Sequence, residues 1–355
     1  MDTKGQLKNF KIELESKLKE YFDKQTIAAG DISPFCSELM NHIAEITLRG
    51  GKRIRAAILY YSFIAHGGLD RDKAMKAALS MELMQTFLLI HDDIIDNDSL
   101  RRGGPTMHKI YQKIGSSRFP TSKPKFFGTS VAIMAGDIAC SLSNELISES
   151  GFDQALIARS LNELNKMYIK EFFGEFLDIL SELRPDVKKE DVILTHQLKT
   201  VPYTFDAPMK IGAILAGADE SAYLKLEEYS TALGTAFQIQ DDYLGMFGTV
   251  EKTGKPITSD LKEGKRTLLI LDALEKASVE QSRVINDTLG NHKVSVADLK
   301  RVRKVIVDTG SLAESDKIAE KYVKEAISSI QSMNLVPEGK EFLLGIADWM
   351  INREY

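Results

Sequence analysis

The chain has 355 residues, 43% of them hydrophobic, and a formal net charge of −5. It can therefore bury a large core, and its charge does not favour nonspecific nucleic-acid binding. Two cysteines, Cys36 and Cys140, exclude a disulfide framework and a cysteine-based metal site. The amino-terminal stretch from Met1 to Lys24 is charged throughout and has no apolar signal core. Near the first acidic cluster the longest strongly apolar run, Phe87 to Ile90, is far too short to cross a bilayer. These features predict a cytoplasmic protein with no membrane insertion and no nucleic-acid partner.

Helical periodicity begins at once. Leu7, Phe10, Leu14, Leu18 and Phe22 recur at three- and four-residue steps and form an apolar stripe. Gly50-Gly51-Lys52-Arg53-Ile54-Arg55 follows, a Gly-Gly turn that feeds a helix with three cations at its start. Cations there oppose the helix dipole, a conflict that a bound anion would resolve. The next segment is apolar on most of its faces and closes on Asp92-Asp93-Ile94-Ile95-Asp96. On a helix Asp92 and Asp96 share a face, one turn apart, and such a pair can hold a hard divalent cation through oxygen. Arg101-Arg102-Gly103-Gly104-Pro105 lies on the loop that leaves this helix, and arginine forks suit phosphate oxygens.

From Lys109 to Phe127 the chain carries Lys109, Lys113, Arg118, Lys123 and Lys125 and no acidic residue. Gly115, Pro120, Pro124 and several serines predict a basic loop insertion here, either a solvated surface feature or a cover near a phosphate site. Further on, Lys199-Thr200 precedes a second apolar segment, which closes on Phe237-Gln238-Ile239-Gln240-Asp241-Asp242. Lys255 and Lys265 follow it. Near the carboxyl end Ser295-Val296-Ala297-Asp298 predicts a helix start, Gly310 its stop, and Ser311-Leu312-Ala313-Glu314 a capping box for the next helix. No stretch alternates strongly enough to predict a strand. The expectation is an all-α single domain in which the two aspartate-bearing helices face each other across a cavity.

These parts define a chemistry. A diphosphate clamped by a divalent cation and by Lys or Arg becomes a good leaving group, and a dry apolar cavity would suit a hydrocarbon cation left behind. No Ser-His-Asp, Cys-His or zinc spacing competes. His91 adjoins Asp92, but a lone histidine on an apolar helix is more often a packed core residue.

Taken in order and spacing, the motifs resemble the trans-isoprenyl diphosphate synthases, or polyprenyl synthetases. Gly50–Arg55 is similar to that family's homoallylic diphosphate site, and Asp92–Asp96 with Arg101-Arg102-Gly103 to its first aspartate-rich motif. Lys199-Thr200 is similar to its Lys-Thr pair, and Phe237-Gln238 with Asp241-Asp242 to its second aspartate-rich motif. Gly254-Lys255 and Lys265 resemble its late lysines. The resemblance implies the isoprenoid synthase fold, with antiparallel helices around a central cavity, in one polyprenyl synthetase domain over residues 1–355. It also implies a homodimer, and head-to-tail condensation of isopentenyl diphosphate with an allylic diphosphate.

By the same resemblance about three Mg²⁺ ions would be bound, by Asp92 and Asp96 on one side and Asp241 on the other, with Asp93 and Asp242 in support. Arg101, Lys199 and Lys255 would grip the allylic diphosphate, and Lys265 would also bind substrate. Lys52, Arg55, Gln85 and Arg102 would grip isopentenyl diphosphate. Lys199, Thr200 and Gln238 would face the developing carbocation, and the departing diphosphate would serve as the base.

Two positions depart from the pattern. Gly245 stands where many members carry the last aspartate of the second motif, and Glu175 stands where the family often has Gln. Arg353 is a weak match to the family's basic tail. Phe87, five residues before the first motif, with non-aromatic Leu88 beside it, is similar to archaeal-type geranylgeranyl diphosphate synthases, which stop at C20. On an ideal helix Leu88 lies nearer than Phe87 to the Asp92 face. C15 and longer products, a terpene cyclase and a non-catalytic synthase subunit are the alternatives.

Overall fold

The computed structural model describes residues 3–119, 123–184, 186–249 and 257–351. It is all-α: the strands among the described residues are the two-residue pair Leu100–Arg101 (β1) and Gly104–Pro105 (β2), joined antiparallel in a tight hairpin. The chain divides into two compact units, Met1–Asn162 with Ile211–Ala218, and Glu163–Lys210 with Asp219–Tyr355.

The first unit contains α1 (Thr3–Ile32), α2 (Pro34–Leu48), α3 (Ile54–Ala65), α4 (Arg71–Ile95), α5 (Met107–Arg118) and α6 (Pro124–Ser148). Phe10, Leu14, Leu18 and Phe22 of α1 are buried, as the periodicity predicts. Helix α4 is buried over almost its whole length from Ala74 to Ile90, so it is the core helix of this unit. Helix α6 packs on it through small residues, among them Ala132, Ala135, Gly136 and Ala139. By length and apolar composition α6 could also cross a membrane.

The basic segment corrects an expectation. Residues 109–118 belong to helix α5 rather than to a loop, and residues 124–127 open α6; residues 120–122 lie outside the described residues. Met107, Tyr111 and Gly115, spaced four apart, supply the buried face of α5. Its cations lie away from that face: Lys109 donates to Asn97 Oδ1 at 3.1 Å and Arg118 to Glu38 Oε2 at 2.7 Å. The glycine and serines that suggested a loop are tolerated because packing outweighs their weak helix propensity.

The second unit contains α8 (Lys189–Lys199), a π-helical turn (Pro202–Asp206) and α10 (Ser221–Phe247). It continues with α11 (Ser259–Glu263), α12 (Leu268–Lys276), α13 (Val279–Thr288), α14 (Val296–Asp308), α15 (Ser311–Gln331) and α16 (Pro337–Ile351). Helices α7 (Gln154–Leu183) and α9 (Ala207–Leu215) run through the points where the chain passes from one unit to the other. Tyr229 of α10 is fully buried and donates to Leu343 O at 2.6 Å. The carboxyl end of α10 rests on a cluster that includes Met246, Leu261, Leu269, Ile285, Leu299 and Val302.

Ser295 caps α14 in a reciprocal box with Asp298, as predicted. The capping box expected at Ser311 is absent: Gly310, at φ 75°, both ends the preceding turn and stands as the N-cap of α15, which leaves Ser311 inside the helix. A left-handed glycine allows that reversal within one residue, so no side-chain cap is made there.

Candidate active site

In the first unit the acidic motif sits where α4 ends. Asp92 and Asp96 are one turn apart, and the Asp96 amide donates to Asp92 O at 2.8 Å. Asp93 points into the unit and is 2% exposed. The β1–β2 hairpin folds Arg101 back onto all of these. Its Nε donates to Asp93 Oδ1 at 2.7 Å, and its Nη2 to Asp92 Oδ2 at 2.9 Å and Asp98 Oδ2 at 3.5 Å. Burial pushes the Asp93 carboxyl up to about 6, and Arg101 works against that shift. The Arg101 guanidinium loses solvation but is held above its ordinary range by Asp93 and Asp92.

Arg102 occupies the hairpin turn at φ 51° and donates to Gly50 O at 2.8 Å, which places it against the Gly-Gly turn. Its guanidinium lies 3.2–3.3 Å from where a Cβ on Gly51 would sit, so a side chain at 51 would force the arginine to give way. Burial lowers the Arg102 pKa, and neighbouring Arg53 and Arg55 push the same way. Lys52 is exposed and Arg55 half-buried at the start of α3. Gln85 is buried on α4, and its Oε1 meets no hydrogen-bond donor among the described residues. A buried amide oxygen left in that state is costly unless a ligand or water completes it.

Sequence reasoning missed two arginines here. Arg53, at φ 57°, turns inward and is buried; it donates to Thr47 O at 2.9 Å, Glu82 Oε2 at 2.7 Å and Glu15 Oε1 at 3.0 Å. One of the three cations that oppose the α3 dipole is thus answered inside the protein. Arg49 donates to Arg101 O at 3.0 Å and Pro105 O at 2.9 Å, which pins the hairpin to α2. Neither partner set is a short sequence spacing. Phe87 and Leu88 are both buried, and Phe87 meets His91 edge-on with ring centres 4.9 Å apart.

In the second unit Lys199 ends α8 and lies 2.7 Å from Glu175 Oε2 and 2.6 Å from Asp178 Oδ2. Helix α7 approaches α8 closely there, because a Cβ on Gly174 would stand 2.3 Å from the Lys199 amide nitrogen. Burial alone would raise the Asp178 pKa; Lys199 and Lys265 hold it below the usual carboxylate range. Thr200 donates to Gln238 Oε1 at 2.7 Å, and Gln238 Nε2 donates to Asp242 Oδ1 at 3.1 Å. Asp241 is half-buried on the adjoining turn of α10. One turn beyond it, Gly245 leaves room that Asp260 takes: a Cβ at 245 would meet Asp260 Oδ2 at 1.9 Å. Lys265 pairs with Glu263 at 3.0 Å. Lys255 and Arg353 lie outside the described residues.

In the first unit Asp92 and Asp96 offer carboxylate oxygens, the donor type that suits a hard divalent cation, and in the second unit Asp241 offers the same donor type. The cations Arg101, Arg102, Arg55, Lys52 and Lys199 suit phosphate oxygens.

The polyprenyl synthetase family model matches residues 36–306. The chain belongs to the polyprenyl synthetase family. It is 33% identical to the geranylgeranyl diphosphate synthase of Sulfolobus acidocaldarius, over 80% of this chain and 81% of that one. It is 36% identical to the geranylfarnesyl diphosphate synthase of Aeropyrum pernix, over 86% and 91% respectively. A crystal structure of the geranylgeranyl pyrophosphate synthase of Corynebacterium glutamicum, complexed with isoprenyl diphosphate and magnesium, superposes with a TM-score of 0.92. That match covers 98% of this chain and 99% of the other at 30% identity. The protein is a trans-isoprenyl diphosphate synthase, a prenyltransferase of isoprenoid synthesis that works on isoprenyl diphosphates in a family dependent on divalent metal.

Proposed function

We propose that this enzyme condenses isopentenyl diphosphate head-to-tail with allylic diphosphates, releases diphosphate, and stops at geranylgeranyl diphosphate (C20). The observation that carries the reading is the Asp92, Asp96 and Arg101 arrangement at the end of α4, with Arg102 against the Gly50-Gly51 turn beside it. The first cluster suits a metal-bound leaving diphosphate, and the second suits a diphosphate held by cations alone. A terpene cyclase has no use for the second. The retained aspartates argue against a non-catalytic subunit.

Mg²⁺ is the proposed metal, about three ions bound by Asp92, Asp96 and Asp241, and it would supply charge neutralisation to the leaving diphosphate. Asp93 holds Arg101, and Asp242 holds Gln238, so both act in support. Arg101, Lys199 and Lys255 bind the allylic diphosphate, and Lys265 also binds substrate; Lys52, Arg55, Gln85 and Arg102 bind isopentenyl diphosphate. Thr200 and Gln238 turn oxygen dipoles toward the developing carbocation, which stabilises charge without adding a nucleophile. The departing diphosphate takes the proton released as the new double bond forms, so no histidine is required as base.

We also propose a cytoplasmic homodimer that acts as one polyprenyl synthetase domain per chain, without membrane insertion or nucleic acid. Ile169, Phe172, Phe173, Phe176, Ile179 and Leu183 follow one another along α7 at helical spacing, each more than a third exposed. A patch of that kind is a usual mark of a protein interface. The exposed Ile133 and Met134 of α6 suit the same use better than a lipid contact, since α6 spends its small-residue face on α4.

Product analysis tests the function. Purified protein is incubated with labelled isopentenyl diphosphate, Mg²⁺ and each of the C5, C10 and C15 allylic diphosphates, and the chain length formed is measured. C20 is expected from all three. C15 or products beyond C20 would move the stopping point, as the relationship to a geranylfarnesyl synthase allows. No incorporation of isopentenyl diphosphate would overturn the reading.

A further inference from the structure

His196 takes no part in the chemistry derived so far, yet it closes a polar ladder between two helices. Helix α8 contributes His196, and Thr200, its C-cap, follows four residues on and still in helical conformation, so the two share one face; α10 contributes Gln238 and Asp242, likewise four apart. Thr200 donates to Gln238 Oε1 at 2.7 Å, and Gln238 Nε2 donates to Asp242 Oδ1 at 3.1 Å. The other Asp242 oxygen faces His196 Nε2 at 3.4 Å. His196 is 6% exposed and the Asp242 side chain 11%. Asp242 Oδ2 and His196 Nδ1 make no hydrogen bond among the described residues.

The direction of this ladder follows from its acidic end. An ionised carboxylate only accepts, so Gln238 must turn its NH₂ toward Asp242. Its carbonyl then faces Thr200, and Thr200 must donate. What Thr200 has left to present is its oxygen lone pairs. With the amide reversed, the threonine proton would be free to point outward and would repel a positive centre. The buried carboxylate itself is costly unless a donor answers it, and the imidazole stands at the distance where a shift of a few tenths of an ångström makes the bond.

We propose that His196 is a positioning residue for the condensation: it holds Asp242, and through Asp242 and Gln238 it sets Thr200 to present lone pairs to the developing cation. This rests on the reading in Proposed function, in which Thr200 and Gln238 face the carbocation.

The test compares full-length wild-type protein with His196→Leu, His196→Gln and His196→Asn. Glutamine carries a donor at about the reach of the imidazole Nε2, whereas asparagine is polar but too short. His196→Leu and His196→Asn are expected to lower kcat on the order of 10- to 100-fold, with KM for both diphosphates within about twofold of wild type. His196→Gln is expected to recover most of the loss. Wild-type kcat in the leucine and asparagine variants overturns the proposal. So does an equal loss in all three variants, which marks a packing role. A crystal structure of His196→Asn supplies a readout independent of turnover: the Gln238 amide should leave Thr200, and an unaltered Thr200–Gln238 bond sinks the idea. Wild-type protein that fails to incorporate isopentenyl diphosphate refutes the proposed function instead, and the crystal structure still decides the ladder.

Discussion

Lys199 carries its ammonium 2.7 Å from the Glu175 carboxylate. Asp178, three residues further along α7, holds the same ammonium at 2.6 Å. One lysine proposed to bind a diphosphate is thus shared between two acids, one of which stands where the family often has a neutral glutamine. Glu175→Gln removes one competing charge and keeps the shape. KM for the allylic diphosphate should fall about 3- to 10-fold, the size expected of one partly solvated charge at short range. An unchanged or higher KM would show that Glu175 does not compete for Lys199.

The aspartates make a stricter demand. Asp92 and Asp241 are half-buried at helix positions where alanine is favourable. Asp92→Ala and Asp241→Ala should each reduce turnover by about 10³-fold or more, as loss of the main charge-stabilising group does. Helical circular dichroism should stay that of wild type. Normal rates in either variant would mean that the metal is held elsewhere.

Phe87 is buried and packs edge-on against His91. If it blocks chain growth, Phe87→Ala should shift the product beyond C20, while the lost packing costs about 3–5 kcal/mol of stability. Radio-thin-layer analysis of the dephosphorylated products reads the first effect and denaturant unfolding the second. A C20 distribution that does not move would assign Phe87 to the core alone.

Phe173 and Phe176 are both more than half exposed on α7. Phe173→Glu combined with Phe176→Glu puts two charges into the proposed dimer face. Light scattering should then report a particle near the 39.6 kDa of one chain rather than twice that mass. A species of unchanged mass would place the interface away from α7.

Asp298 accepts hydrogen bonds from Ser295 Oγ at 2.7 Å and Ser295 N at 2.9 Å, with Arg301 adding to them, and its carboxyl is held down to about 2. The folded pKa lies below the unfolded value of about 3.9, so the cap stabilises fully above that pH and is lost as pH falls through about 2. The difference in denaturant midpoint between wild type and Asp298→Ala should therefore be constant from pH 7 to 5 and shrink toward pH 2. A difference that persists at pH 2 would show that the cap does not depend on ionisation.

Local pattern alone determined a good part of this protein. The α1 stripe, the Ser295–Asp298 cap, the Gly310 stop and the placing of Asp92 and Asp96 on one helix face all follow from spacings of three and four residues, which the helix itself imposes. The same rule was available for α5 in Met107, Tyr111 and Gly115, where glycine, proline and serine obscured it. What tertiary structure decided was which polar groups meet. Arg53 finds Glu15 and Glu82, Arg49 finds the hairpin, Lys199 finds Glu175 and Asp178, Asp260 fills the room beside Gly245, and His196 reaches Asp242. Those partners lie far outside one helical turn in sequence, and any of several cations could have answered any of several acids. Burial of the apolar faces brings particular backbones together, and only then does the cost of an unanswered buried charge choose the pairs.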